Sequence, residues 1–159
     1  MLNLNNFNLT TPRIDLGSIT DGLEGVVLGT GTLTSTYTGT DYGAGFRFFR
    51  GSISAGLAGG APILKQGLGT VTLSGNNSGL TGSVNAATRI DAGNLVLDYT
   101  SRNTNKLPTN RGLDMRGGTL TLIGGTIADT VQNVTTLSFS SGGAIRSPSA
   151  TARLRRRST

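Results

Sequence analysis

Residues able to carry acid–base or nucleophilic chemistry are sparse in this chain. It contains no histidine and no cysteine, which excludes imidazole-based triads and the usual zinc sites. Proton transfer would fall to eight carboxylates, Asp15, Asp21, Glu24, Asp41, Asp91, Asp98, Asp114 and Asp129. Glycosidic cleavage needs two of them facing each other across about 5–10 Å, and along the chain they are scattered. Asp91 and Asp114 are the pair that stacked turns of chain would bring close, although an Asp at such positions ordinarily serves its own turn. The two lysines, Lys65 and Lys106, are far apart. Lys65 precedes a glycine corner and is expected to face solvent, where it would discourage edge-to-edge pairing.

Gly29-Thr30-Gly31 and Gly67-Leu68-Gly69 lead into Thr/Leu strands rather than a helix, so neither is a phosphate loop. Asp41-Tyr42-Gly43-Ala44-Gly45 carries one carboxylate, too few for the glycine/aspartate calcium repeat of β-rolls. In the one aromatic cluster, Phe46 and Phe48 share a face and are expected to fill an interior, with Phe49 on the opposite face. Arg47 and Arg50 alternate with them as solvated partners. No catalytic, cofactor-binding or metal-binding residue is assigned.

What the residues do specify is a repeat. Gly45, Gly69, Gly93, Gly118 and Gly143 recur at intervals of 24, 24, 25 and 25 residues, and most open an alternating segment. Thr70-Val71-Thr72-Leu73 is the clearest, with Val and Leu on one face and Thr on the other. Gly, Thr, Ser and Asn together make 75 of the 159 residues, a mixture that favours strands and turns over helix interiors. Only 35% of the chain is hydrophobic, which suits a thin core better than a compact globule. A rung of about 24 residues cannot stand alone, so stability must come from stacking on neighbours. The expected fold is all-β, a β-solenoid with rungs of about 24 residues and no helix.

The segment from Leu64 to Asn77, Leu-Lys-Gln-Gly-Leu-Gly-Thr-Val-Thr-Leu-Ser-Gly-Asn-Asn, resembles the autotransporter-associated β-strand repeat, or passenger-associated transport repeat. The match continues through Gly82, Ala92-Gly93-Asn94-Leu95-Val96-Leu97 and Gly117-Gly118-Thr119-Leu120-Thr121-Leu122. Leu80 stands where the repeat usually has an aromatic residue, and Asn94 where Thr is commoner. Its repeat-defining positions here are Lys65, Gly67, Gly69, Thr70, Leu73, Gly75, Asn77, Gly82, Gly93, Leu95, Leu97, Gly118, Leu120 and Leu122. The resemblance is clearest over residues 57–125. It implies a right-handed parallel β-helix within a longer cell-surface passenger of Gram-negative bacteria, secreted through the outer membrane. The implied role is assisting transport and folding of that passenger, with no catalytic residue.

Residues 1–145 are expected to form a single solenoid segment. Val26-Val27-Leu28 and Thr32-Leu33-Thr34 read as a strand pair around a Gly turn, and Arg102 to Arg111 as a polar loop bulging from the stack. Met1 to Asn6 lack a basic n-region and a continuous apolar run, so no export signal is expected there, and no stretch reaches the ~18 apolar residues of a membrane span. Residues 146–159 carry five arginines without alternation or glycine corners, and are expected to be a disordered or out-of-frame tail. The body lacks the basic patch of a nucleic-acid binder. The expected partners are neighbouring rungs, a host or matrix surface ligand, and other copies through uncapped ends. The chain then reads as a structural, transport-assisting fragment, with possible adhesive use of its Thr/Asn face. The alternatives are a carbohydrate-active β-helix lyase or hydrolase and a phage or cell-surface fibre segment.

Overall fold

Alternating apolar residues between glycine corners generate short strands, and a computed structural model shows how they stack. It describes residues 1–82, 86–125, 129–148 and 151–157. In the first rung, β1 (Leu2–Asn3), β2 (Leu9–Thr11) and β3 (Ile14–Leu16) follow one another around three sides. The second contains β4 (Gly25–Leu28), β5 (Thr32–Ser35) and β6 (Phe46–Phe48), and the third β7 (Gly51–Ile53), β8 (Gly56–Gly59) and β9 (Ile63–Lys65). The fourth contains β10 (Thr70–Leu73), β11 (Gly79–Leu80) and β12 (Thr88–Ile90), and the fifth β13 (Asn94–Asp98) and β14 (Leu113–Met115). The sixth contains β15 (Thr119–Ile123), β16 (Thr130–Val134) and β17 (Leu137–Phe139). Last come β18 (Ala144–Arg146) and β19 (Ala152–Arg156).

Among the described residues every strand pairing is parallel and joins successive rungs. One sheet runs β1-β4-β7-β10-β13-β15-β18, a second β2-β5-β8-β11 and a third β3-β6-β9-β12-β14-β17. The fold is therefore a parallel β-solenoid. Leu73 lies beside Leu97 and Leu97 beside Leu122, so these turns take 24 and then 25 residues, as the repeat requires.

The core is a set of rows running along the solenoid axis. Val27, Ile53, Leu73, Leu97 and Leu122 stack in register on the first sheet, all buried. Phe46 and Phe48 fill the same interior from the third sheet, with ring centroids 6.0 Å apart. Opposite them the inward row of the first sheet is reduced to Gly25 and Gly51 before resuming as Val71, Leu95 and Leu120. A Cβ on Gly25 would lie 2.5 Å from Gly17 N and 2.7 Å from Leu16 Cδ1, and one on Gly51 would fall on the Gly25 carbonyl oxygen, so neither position has room for a side chain. Each buried aliphatic side chain contributes about 1.5–3 kcal/mol, distributed along the axis rather than concentrated in one centre.

Four expectations are corrected. Gly69, Gly93, Gly118 and Gly143 all precede first-sheet strands, but Gly45 precedes β6 of the third sheet. Its spacing matched only because the turn from Ile53 to Leu73 is short. β4 and β5 flank the Gly29–Gly31 corner without pairing, since each belongs to a different sheet. A 3-10 turn, Tyr42–Ala44, capped by the Asp41 side chain, occurs where no helix was expected. Finally, the basic stretch after Ile145 is not without structure: β19 pairs with β16 over five positions.

Candidate functional site

Parallel register turns scattered polar residues into rows on the outer face of the third sheet. Arg89 lies beside Asp114 on the next rung. Asp91 accepts from Arg89 Nε at 2.7 Å and Nη2 at 2.6 Å, and Asp114 from Arg116 Nε at 2.6 Å. Asp114 also accepts from Ser138 and Ser140 hydroxyls at 2.9 and 2.5 Å. Burial would raise its pKa, but the hydrogen bonds from Ser140, Arg116 and Ser138 outweigh it and hold the carboxyl below its ordinary value. Stacking does bring Asp91 and Asp114 to adjacent rungs, as their spacing suggested. Both carry arginines, however, which suits a neutralised wall better than a proton-transfer pair. The Arg89 guanidinium lies 4.7 Å from the Tyr42 ring centroid, and the Tyr42 hydroxyl donates to the Ala87 carbonyl at 2.7 Å. At the other end of the face Asp15 binds both Arg13 and Arg47. Burial acts to raise its pKa, yet the two arginines hold it below the usual carboxylate range.

The lysines lie inside the solenoid. Lys65 is fully buried, not solvent-facing as expected from its corner position. It is the inward terminal residue of β9, in the row between Phe48 and Ile90. Its Nζ donates to the carbonyls of Gln66, Gly67 and Ala92 at 3.0, 2.8 and 3.1 Å. An ammonium has three donors and no acceptor, so the group is fully satisfied while it joins the corners of two successive rungs. Gly93 is required beside it: φ is +67°, and a Cβ would sit 2.7 Å from Lys65 Nζ.

Lys106 repeats this arrangement at another corner. It is fully buried, and its Nζ donates to Ser74, Gly75 and Arg102 carbonyls at 3.1, 2.7 and 3.0 Å. The segment from 99 to 112 is thus only in part the expected bulge. Residues 101–103 are exposed, but Tyr99, Lys106 and Leu107 are buried. It occupies the position of the second-sheet strand in the fifth rung, between β11 and β16.

Side-chain amides replace the missing ladder. Asn77 accepts from Leu57 N at 3.0 Å on one side and donates to the Lys106 carbonyl at 3.1 Å on the other. Gln132, fully buried on β16, accepts at Oε1 from Lys106 N, Leu107 N and Tyr99 Oη at 2.8, 3.1 and 2.8 Å. Its Nε2 donates to Leu107 and Asn133 carbonyls. The fifth rung is closed by side chains where the others use backbone.

The leucines of the repeat lie in the core and its glycines at corners, whereas Lys65 and Asn77 are buried. Leu73, Leu95, Leu97, Leu120 and Leu122 are fully buried, and Thr70 is exposed. Gly67 and Gly82 have φ of +72° and +66°, and a Cβ on Gly75 would fall on the Ala55 carbonyl oxygen. Gly69 and Gly118 abut Arg50 and Ile90 of the preceding rung. Sequence reasoning missed Lys106, Gln132 and Tyr99 as a network. Their separations of 7 and 33 residues follow no repeat, and the only available signal was a lysine, a glutamine and a tyrosine in an otherwise small-residue chain.

Burial pulls both lysines down to a pKa of about 8 from an ordinary 10.5; Arg50 adds to the effect at Lys65, while at Lys106 Asp98 opposes it and Arg102 adds to it. The unfolded chain therefore holds more protons between pH 8 and 10.5, so stability increases with pH across that window. Burial raises the Tyr99 and Tyr42 hydroxyls above 10.0; the folded chain then holds more protons at higher pH, and stability declines. Urea unfolding is expected to give a higher midpoint at pH 9.5 than at pH 7.5.

No family model, curated protein or solved structure matches this chain.

Proposed function

We propose that this chain is a structural, transport-assisting β-helix segment of an autotransporter-type passenger, acting at the cell surface and using no catalytic residue. The supporting observation is the coincidence of the repeat with the rung. The Leu64–Gly82 cassette carries one corner staple, one inward Val71/Leu73 pair and one buried Asn77 linking rungs. Each position thus contributes to stacking of a newly arrived rung on the previous one.

Such a rung forms its ladder, staple and core row only once both partners have emerged on the same side of a membrane. Once stacked it is too wide to return through a pore that passes extended chain, so folding gives transport a direction. The Thr/Asn-rich outer surface is left available for adhesion.

Fusion of residues 1–159 between an export signal and a reporter β-barrel tests this reading. Surface display should fall severalfold with Gly75→Val, which drives a side chain onto the Ala55 carbonyl, while Thr70→Val on the exposed face leaves it unchanged. Equal display of all three would overturn the proposal.

A further inference from the structure

Most arginines of the stack are engaged. Arg13, Arg47, Arg89 and Arg116 pair with aspartates, and Arg50 and Arg111 donate to backbone carbonyls. Those at the C-terminal end are not. Among the described residues, the exposed side chains of Arg153, Arg155, Arg156 and Arg157 form no ion pair and no hydrogen bond. They supply four positive charges to a chain whose formal net charge is +6.

Strand geometry puts three of them in a line. Ala152 is buried and Leu154 packs on the core, so alternation along β19 turns Arg153 and Arg155 outward. Their ladder partners Val131 and Asn133 also face outward, between the buried Thr130, Gln132 and Val134. One step past the strand, the Arg157 amide donates to the Val134 carbonyl at 2.7 Å. The register therefore continues, and Arg157 joins the same face beside Thr135. The guanidiniums recur at intervals of about 6.6 Å, on a strand whose far edge has no partner among the described residues. Five paired positions fix β19 before any ligand arrives. Asp129, exposed just before β16, forms no ion pair with these arginines.

We propose that this line of arginines binds a linear polysulfated glycan, with successive sulfates on Arg153, Arg155 and Arg157 and the Asn133 amide and Thr135 hydroxyl beside them for the sugar hydroxyls. Short arginine-rich runs fit either heparin-like chains or nucleic acid. Guanidiniums this closely spaced call for an anion on nearly every sugar, which a polysulfated chain carries. The neighbours argue against nucleic acid: Val131, Asn133 and Thr135 offer no ring on which an unpaired base could stack. A membrane surface would call for apolar side chains beside the charges, and here Leu154 turns inward. The inference gives the adhesive role a ligand without resting on the transport role, because the three guanidiniums take no part in joining rungs.

Calorimetric titration of the full chain with a heparin octasaccharide tests this. The comparison ligands are a hyaluronan octasaccharide, with a carboxylate on alternate sugars only, and an oligothymidylate of matched charge. Saturable binding of heparin is expected, with both others at least about tenfold weaker at the same ionic strength. Arg153→Gln, Arg155→Gln and Arg157→Gln together should weaken heparin at least about tenfold at an unchanged melting temperature. Arg102→Gln, Arg146→Gln and Arg156→Gln together remove the same charge away from the line, and should change binding by no more than about twofold. Equal weakening by the two triple variants would make net charge alone the cause, and an oligothymidylate bound as tightly would make this a nucleic-acid surface. Either result, hyaluronan bound as tightly, or no binding of heparin would overturn the assignment. None of these outcomes bears on surface display.

Discussion

Gly51→Ala is expected to unfold the second and third rungs, lowering stability by about 3–5 kcal/mol from backbone strain and overpacking together. Gly51 has φ of +124°, a conformation closed to residues with a side chain. Its Cβ would fall on the Gly25 carbonyl oxygen, an atom of the neighbouring strand. Neither strand can retreat, because β7 is paired with β4 on one edge and β10 on the other. Gly142 separates the two causes. It has φ of +99° and open space where a Cβ would lie, so Gly142→Ala should cost about 1–2 kcal/mol from strain alone. Chemical unfolding of the three proteins checks this. Equal losses at the two glycines would mean that the Gly25 backbone does not close on Gly51 as described.

The position of Gly51 illustrates what the sequence disclosed and what it concealed. Thr70-Val71-Thr72-Leu73, Asn94-Leu95-Val96-Leu97 and Thr119-Leu120-Thr121-Leu122 were legible as strands of one sheet because period-2 alternation and constant spacing coincide there. Gly25 and Gly51 were not, because they stand in an apolar row and are glycine on account of Leu16 and Gly17 at the first and of its φ and the Gly25 backbone at the second. That is a tertiary cause with no local trace. Gly45 misled for the converse reason: three sheets share one rung, so a glycine before a strand does not reveal which sheet the strand joins.

Lys65 was read as solvated since lysine usually is. Only the closed corner shows three carbonyls converging on one point. The candidate site was partly legible: Asp91 and Asp114 were correctly placed on neighbouring rungs, but Arg89 and Arg116, two positions away along each strand, were not recognised as their partners.

Lys106→Met should destabilise the chain by about 3 kcal/mol, since it removes the donors from buried carbonyls while keeping most of the side-chain volume. The Ser74 and Gly75 carbonyls belong to the fourth rung and Arg102 to the fifth, so the loss falls where no backbone ladder joins β11 to β16. Lys65→Met should cost a similar amount at the Gln66, Gly67 and Ala92 carbonyls. There the parallel ladders of β9 with β12 and β10 with β13 persist, so unfolding should stay a single transition. For Lys106→Met the parallel ladders of β10 with β13 and β12 with β14 likewise persist between the fourth and fifth rungs, so it too should unfold in one transition at a lower denaturant midpoint. Unfolding followed by circular dichroism measures both midpoints.

One continuous stack runs through the fifth rung, with Asn77, Lys106 and Gln132 in place of a strand. Native-state hydrogen exchange of the full chain at pH 7, resolved by residue, tests this continuity. The amides of Leu57, Lys106 and Leu107, which donate to Asn77 Oδ1 and Gln132 Oε1, should be protected as strongly as the ladder amides of β10 and β13. Exchange of these three at the rate of the exposed residues 101–103, beside a protected β10, would contradict it.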